Sequence, residues 1–389
     1  MGTRNRFWAG LAMAGLLGAA CSAGTAAPTS APGSAAPSGG APSGGGAPSA
    51  PAAMTEVALQ LQWAPQAQFG GYFAARDQGF YEEEGLDVEI LDGGPDVIPQ
   101  VVGSEENGPE FTISWVPKVL EVRAAGQSDL VNIAQIFQRS GTLSVAFADA
   151  GIDSPEDFAG KNVGAWGFGN EYEVIAAARE AGLEPGTDFT QVTQPFDMSL
   201  LLNGEVDVAE AMIYNEYAQV LETEDPATGA LYQPDDLTVI DYNEVGTAML
   251  QDAIFAREAW LIEEGNEDVA ERFLRASFRG WMHCRENPDD CIQATVDAGS
   301  TLGEGHQAWM MNEINPLIWP SPSGIGIIDP AQWQQTVDVS VGAAVIKAAP
   351  PADAYRTDLA EAALADLADA DTKGESFVKG SVEVTPGGN

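Results

Sequence analysis

From residue 57 onward the chain alternates short β-branched or aromatic runs with amphipathic stretches, and it does so twice. In the first round VALQLQW (57–63) reads as a strand and 68–83 as a helix stopped by Gly85. LDVEILD (86–92) is a second strand, and a Gly-Gly-Pro turn leads into a short helix. EFTISW (110–115) is a third strand, followed by a helix over about 117–125 and a fourth strand, LVNIAQIF (130–137). TLSVAFA (142–148) reads as a crossing segment, after which the pattern restarts. Ser154-Pro155-Glu156-Asp157 opens a helix. KNVGAWG (161–167), FTQVTQ, VDVAEAMI (206–213) and LTVIDYN (237–243) are the strands of the second round, with a helix over 170–181 and a short one at DMSLLLNGE. AMLQDAIFA (248–256) reads as the return crossing, and 257–319 as mostly helical. Strands alternating with crossover helices require a parallel or mixed sheet covered on both faces. Two such rounds joined by two crossings predict an α/β protein of two lobes: residues 55–145 with 248–370, and residues 146–247. A cleft between hinged lobes is a common place for a small ligand, because closure buries it from both sides. The polar stretch 371–389 reads as a mobile tail.

Charge narrows the partners. The chain of 389 residues carries 17 Lys and Arg against 58 Asp and Glu, a net charge of −41. Binding nucleic acid needs a cation for each phosphate contact, and docking on anionic lipid needs a basic face. This composition excludes both as leading readings, while its 45% apolar content supports globular lobes rather than an acidic disordered chain.

The N-terminus carries a different signal. Arg4 and Arg6 precede an apolar stretch from Phe7 to Ala20, too short for a stable membrane span. Gly18, Ala19 and Ala20 then precede Cys21. Residues 1–21 resemble a bacterial lipoprotein signal in which Cys21 is lipidated, although Gly18 stands where Leu is usual; the alternative is an ordinary secretory signal with a chance cysteine. Residues 22–53 are made only of Ala, Gly, Pro, Ser and Thr, so 22–54 reads as a flexible tether leading to a folded part that begins near Thr55. The expectation is export, with a lipid anchor at the outer face of the cell membrane.

Beyond Cys21, only Cys284 and Cys291 remain, with two histidines, His283 and His306. Their spacing matches no usual zinc pattern, so no metal site is expected. Cys284 and Cys291 flank an Asn-Pro-Asp turn signal, and outside the cytoplasm they could form a disulfide or remain as two thiols at a helix end.

Several stretches then carry a family likeness. QLQWAPQAQFGGYFAARDQGFYEEEGLDVEI, the GGPD at 93–96, and DFAGKNVGAWGFGNEYE resemble the thiamine pyrimidine synthase-like family of solute-binding proteins, over roughly residues 56–330. Gly79-Phe80-Tyr81 and Gly85-Leu86-Asp87-Val88 mark the wider clan, which includes binders of nitrate, sulfonates, taurine and riboflavin; WGFGNEYE and MIYNEY point to its pyrimidine branch. The resemblance implies a type II periplasmic-binding-protein fold, two α/β lobes joined by two crossing segments around a ligand cleft. It implies capture of a formylaminopyrimidine- or hydroxymethylpyrimidine-type thiamine precursor for an ABC importer, with the permease and its ATPase as partners, a monomeric chain and no cofactor. The same family includes fungal enzymes that form the pyrimidine from pyridoxal phosphate and a histidine, with a cysteine-rich iron-binding run. This chain has no such run, which disfavours the enzymatic alternative.

A flat aminopyrimidine asks for aromatic faces and for carboxylate or amide groups at its edges. Candidates lie where strands end. After the first strand these are Trp63, Gln68 and Tyr72; after the third, Trp115; after the fourth, Arg139. In the second lobe Trp166-Gly167 leads through Phe168 and Gly169 into Asn170, Glu171 and Tyr172, the first two of which could instead merely cap a helix. Asp197 follows Pro195-Phe196, and Tyr214, Asn215 and Glu216 follow the strand through Met212. Trp63, Tyr72 and Trp115 could equally be core residues, and Arg139 could pair with a distant acid. Arg139 is the one basic residue among these candidates, so the set favours a neutral or weakly cationic heterocycle over nitrate, taurine or another anion.

Overall fold

A computed structural model of the chain describes residues 54–389; the expected signal, Cys21 and the tether lie outside the described residues, apart from Met54 at the tether's end. In the first lobe β1 (Thr55–Gln60), β2 (Leu86–Leu91), β3 (Phe111–Ser114) and β4 (Leu130–Gln135) precede the crossing. The second lobe contributes β5 (Thr142–Phe147), β6 (Asn162–Ala165), β7 (Thr190–Thr193), β8 (Val208–Met212) and β9 (Leu237–Asp241), and the chain returns as β10 (Ala253–Arg257).

The two sheets share one plan. The first has the order β2-β1-β3-β10-β4 and the second β7-β6-β8-β5-β9. In each, four strands run parallel and the fourth position is filled, antiparallel, by the strand that has just crossed from the other lobe. This is the two-lobe fold expected from the sequence. One boundary moves: β5 lies wholly in the second sheet, so a division at 145/146 cuts through a strand. Residues 142–147 pair with β8 and β9 along their length.

Burial explains the strands. All six residues of β4 are buried, as a strand covered on both faces demands, whereas β2 alternates buried Leu86 and Val88 with exposed Asp87 and Glu89 at a sheet edge. The first lobe's core lies between its sheet and the helix Asn266–Glu286, where Phe111 stacks on Phe273 and Phe273 on Tyr81. That helix meets the helix Gly70–Asp77 nearly backbone to backbone. A Cβ on Gly280 would strike the Gly71 carbonyl, and one on Gly71 would strike Trp281. The helix expected over 68–83 is broken at Gly79, whose φ of 75° ends one segment and starts Phe80–Glu83. Cys284 and Cys291 are joined across Asn287, with Cα atoms 5.5 Å apart.

The crossings are tied together by buried polar groups. Gln251 Nε2 donates to Ser140 Oγ (2.9 Å) and Thr142 Oγ1 (2.6 Å). Glu173, at the start of the helix Tyr172–Glu180, accepts from Ser140 Oγ (2.7 Å) and from the Met249 amide (2.8 Å), and burial pushes its carboxyl up to about 8. The tail is a second correction. Residues 371–389 pack along the seam between lobes: Lys379 pairs with Glu313 at 2.5 Å, and the Gly387 amide donates to the Glu222 carbonyl. Gly388, at a φ of 70°, fits against His306 and Glu222 where a side chain would collide. Among the described residues no helix is long and apolar enough to cross a membrane.

Candidate functional site

The carboxyl ends of the parallel strands of both sheets face one cleft of about 700 Å³, counting its open mouth. In the first lobe the chain leaving β1 supplies Gln62, Trp63, Gln66 and Gln68. The turn after β2 supplies Gly94, Pro95 and Val97 to Gln100, and the chain leaving β3 supplies Trp115 and Lys118. In the second lobe Trp166, Phe168 and Asn170 follow β6, Phe196 follows β7, and Tyr214, Asn215 and Glu216 follow β8. Such strand ends are where α/β sheets leave backbone and side chains free for a ligand.

The walls are aromatic. Phe196 lies 4.4 Å from Trp63 across the cleft and 6.1 Å from Trp166, nearly parallel to the latter at 19°. Phe168 forms a lip: it is 70% exposed and sits at a φ of 63°, a left-handed conformation that costs a non-glycine residue about 1–2 kcal/mol. Tyr214 is buried at the floor and meets Phe137 edge-on.

Behind the walls lie buried acids whose carboxyls are raised above their ordinary range. Asp252, buried just before β10, accepts from Gln68 Nε2 and from Trp115 Nε1, both at 2.8 Å, and so fixes two cleft side chains. Burial pushes its carboxyl up to about 6. Glu216 accepts from the Met212 amide (3.0 Å) and from Asn215 Nδ2 (2.9 Å), and burial raises it to about 7. Glu210 takes the Trp166 amide at 2.8 Å, and burial lifts its carboxyl well above the usual range. Opposite these stands one ammonium. Lys118 Nζ donates to Asn170 Oδ1 (2.6 Å) and lies 4.6 Å from the centre of the Trp115 ring. Burial pulls it down to about 8, against the favourable charges of Asp252, Glu171 and Glu210.

Of the residues expected from the sequence, Trp63, Gln68, Trp115, Asn170, Tyr214, Asn215 and Glu216 line this cleft. The others lie elsewhere. Tyr72 is buried against Trp281 in the first lobe's core. Arg139 turns away and donates to the carbonyls of Pro316 and Pro320. Glu171 accepts from the Gly169 amide and, with Tyr172, lines a shallower depression outside the lip. The Tyr172 hydroxyl donates to Glu121. Asp197 accepts from the amide of Ser199, the first residue of the short helix Ser199–Leu202. The cation of the cleft is therefore Lys118, not Arg139. Lys118, Gln62, Gln100, Trp166, Phe168 and Phe196 were absent from the expected set. For Trp166 the signal was present, since it ends its strand as Trp63 and Trp115 end theirs. Among the described residues, no three His, Cys, Asp or Glu side chains are grouped to hold a metal ion.

Known proteins agree with this architecture. The sulfonate-binding protein SsuA of Escherichia coli has the same fold, with a TM-score of 0.55 at 14% identity over 84% of this chain and 92% of that one. The desulfurization enzyme DSZB also shares it, with a TM-score of 0.53 at 12% identity over 80% of this chain and 99% of that one. By sequence, the chain is 26% identical over 248 residues to a formylaminopyrimidine-binding protein of Halalkalibacterium halodurans, covering 63% of this chain and 71% of that protein. It is also 26% identical over 349 residues to the riboflavin-binding protein RibY of Chloroflexus aurantiacus, covering 86% of this chain and 91% of that one. Residues 66–291, more than half of the chain and nearly all of the cleft, match the family described as NMT1/THI5 like, and the protein belongs to that family.

Proposed function

We propose that this protein is the solute-binding component of an ABC importer and that its ligand is a flat nitrogen heterocycle with a pyrimidine-type edge. The reading is one of capture: the ligand enters between the lobes, and the closed form is presented to a permease. Closure reports occupancy only if the ligand contacts the closed form better than the open one. A cleft walled by residues of both lobes meets that condition.

The observation that carries the ligand class is the aromatic lining, with Trp63 and Trp115 from one lobe and Trp166, Phe168 and Phe196 from the other. Indole faces favour a planar, electron-poor ring. A small anion would leave them unused and would face acids as well as the single ammonium. A thiamine pyrimidine precursor of the hydroxymethylpyrimidine or formylaminopyrimidine type is the first reading. Riboflavin, whose ring system ends in a pyrimidinedione, is the second, favoured by the 86% coverage of the match to RibY. The N-terminal sequence supports export, with Cys21 as the lipid attachment point.

Calorimetric titration of the full-length protein with hydroxymethylpyrimidine, formylaminopyrimidine, riboflavin and taurine tests the proposal. Micromolar or tighter binding of a heterocycle, with none of taurine, is the expected result. Binding of taurine alone would overturn the ligand class.

A further inference from the structure

Lys118 is poorly placed for stability. It is 5% exposed, and burial penalises an ammonium. It is also the third residue of the helix Val116–Ala124, at the end where the helix dipole repels a cation. No structural partner offsets this fully. An ammonium has three N–H donors, and Asn170 Oδ1 takes one. The amide of Asn170 is oriented independently, because its Nδ2 donates to the Gly167 carbonyl at 2.7 Å. Asp252, Glu171 and Glu210 act on Lys118 through space rather than by hydrogen bond. The Trp115 ring takes one side of the group, and the remainder borders the cleft.

We infer that Lys118 is the specificity-determining residue of the cleft and that the ligand presents a carbonyl oxygen to its ammonium while its ring lies against the aromatic walls. The inference rests on the heterocycle reading above and deepens it. A carbonyl oxygen is a stronger acceptor for a desolvated ammonium than a hydroxyl, and unlike a carboxylate it does not add a charge beside Asp252 and Glu216. The favoured ligands are then formamido- or oxo-substituted heterocycles. Lys118 belongs to the first lobe and Asn170 to the second, so a carbonyl at this point also joins the contact that spans the mouth.

The test compares the full-length wild type with Lys118→Met and Lys118→Arg, using hydroxymethylpyrimidine, which has no carbonyl, against formylaminopyrimidine, which has one, and riboflavin, which has two. Wild type should bind a carbonyl-bearing probe roughly 10- to 100-fold more tightly than hydroxymethylpyrimidine, the range of a hydrogen bond to a charged group. Lys118→Met should weaken the carbonyl-bearing probes about tenfold or more beyond any weakening of hydroxymethylpyrimidine, removing that preference, and its melting temperature should not fall. Lys118→Arg should keep part of the preference, which leaves a readout if the Met variant does not fold. Equal weakening of all probes, or a preference that survives both substitutions, would overturn the inference and leave the heterocycle reading standing. Wild type that binds no heterocycle would overturn both.

Discussion

The two lobes place opposite charges at corresponding points. In each sheet the strand third in order, β3 or β8, leads at the cleft into an aromatic residue and then a helix. After β3 come Trp115 and the helix Val116–Ala124 carrying Lys118; after β8 come Tyr214 and the helix Glu216–Leu221 beginning with Glu216. Both charged groups are buried, and both are driven toward neutrality, Lys118 to about 8 and Glu216 to about 7. The difference lies in their support. Glu216 sits where a helix start attracts negative charge and accepts two hydrogen bonds from its own lobe. Lys118 opposes its helix and donates its one hydrogen bond to the other lobe. Corresponding places in the two lobes thus hold an acid supported within its own lobe and an ammonium whose hydrogen bond crosses the cleft.

Substitutions can break this comparison. The largest effect is expected at the walls: Trp63→Ala or Trp166→Ala should each weaken heterocycle binding about 100-fold, as truncation of a buried aromatic anchor does. Calorimetry that found one indole dispensable would show that a single lobe carries the affinity. Next, Cys284→Ser with Cys291→Ser should destabilise the protein by about 2.5 kcal/mol, from the entropy of a short closed loop. Melting scans with and without reductant check this, and the loss should fall on the first lobe's helices. Third, Lys118→Met should gain on the order of 2 kcal/mol at pH 7 while losing the preference for carbonyl-bearing ligands. Lys118 has a depressed folded pKa, so its favourable contribution is present above about 10.5 and is lost as pH falls through about 8. The variant should therefore show a flatter stability profile across that window in urea titrations.

The smallest effect belongs to Glu216→Gln. Its folded carboxyl is raised, so wild-type stability is complete below about 4.5 and declines as pH rises through about 7. The variant should flatten that decline only in part, leaving the contributions of Glu210 and of Asp252 and Glu173, the last two raised to about 6 and about 8. A decline unchanged in Glu216→Gln would mean that Glu216 is not the acid counterpart of Lys118.

Much of this was legible before any coordinates. The strands read as β-branched runs, and Trp63, Trp115 and Tyr214 lie within three residues beyond the ends of β1, β3 and β8. What was not legible depended on direction rather than position. Arg139 follows β4 as a ligand residue should, yet its guanidinium reaches the carbonyls ending the helix Glu304–Ile318. Tyr72 lies one turn into a helix whose buried face the sequence pattern does not distinguish from its cleft face. Lys118, three residues past a strand, reads as solvated unless the helix direction and the opposing lobe are known together. The segment 371–389 is composed like a loose end. Its order comes from partners such as Glu222, Glu313 and His306, far away in sequence.

The placement of β10 has a consequence for the order of assembly. It fills the gap between β3 and β4, pairing Ala253 with Ser114 and with Gln135. The second sheet, by contrast, closes entirely within residues 142–241. A chain emerging from its N-terminus can complete the second lobe while the first still has an open edge on both sides of the missing strand. Contacts so distant in sequence form slowly, and an unfilled sheet edge invites pairing with other chains. The first lobe is thus the late and vulnerable partner in folding, and the interval before β10 arrives is when the protein is most in need of protection from aggregation.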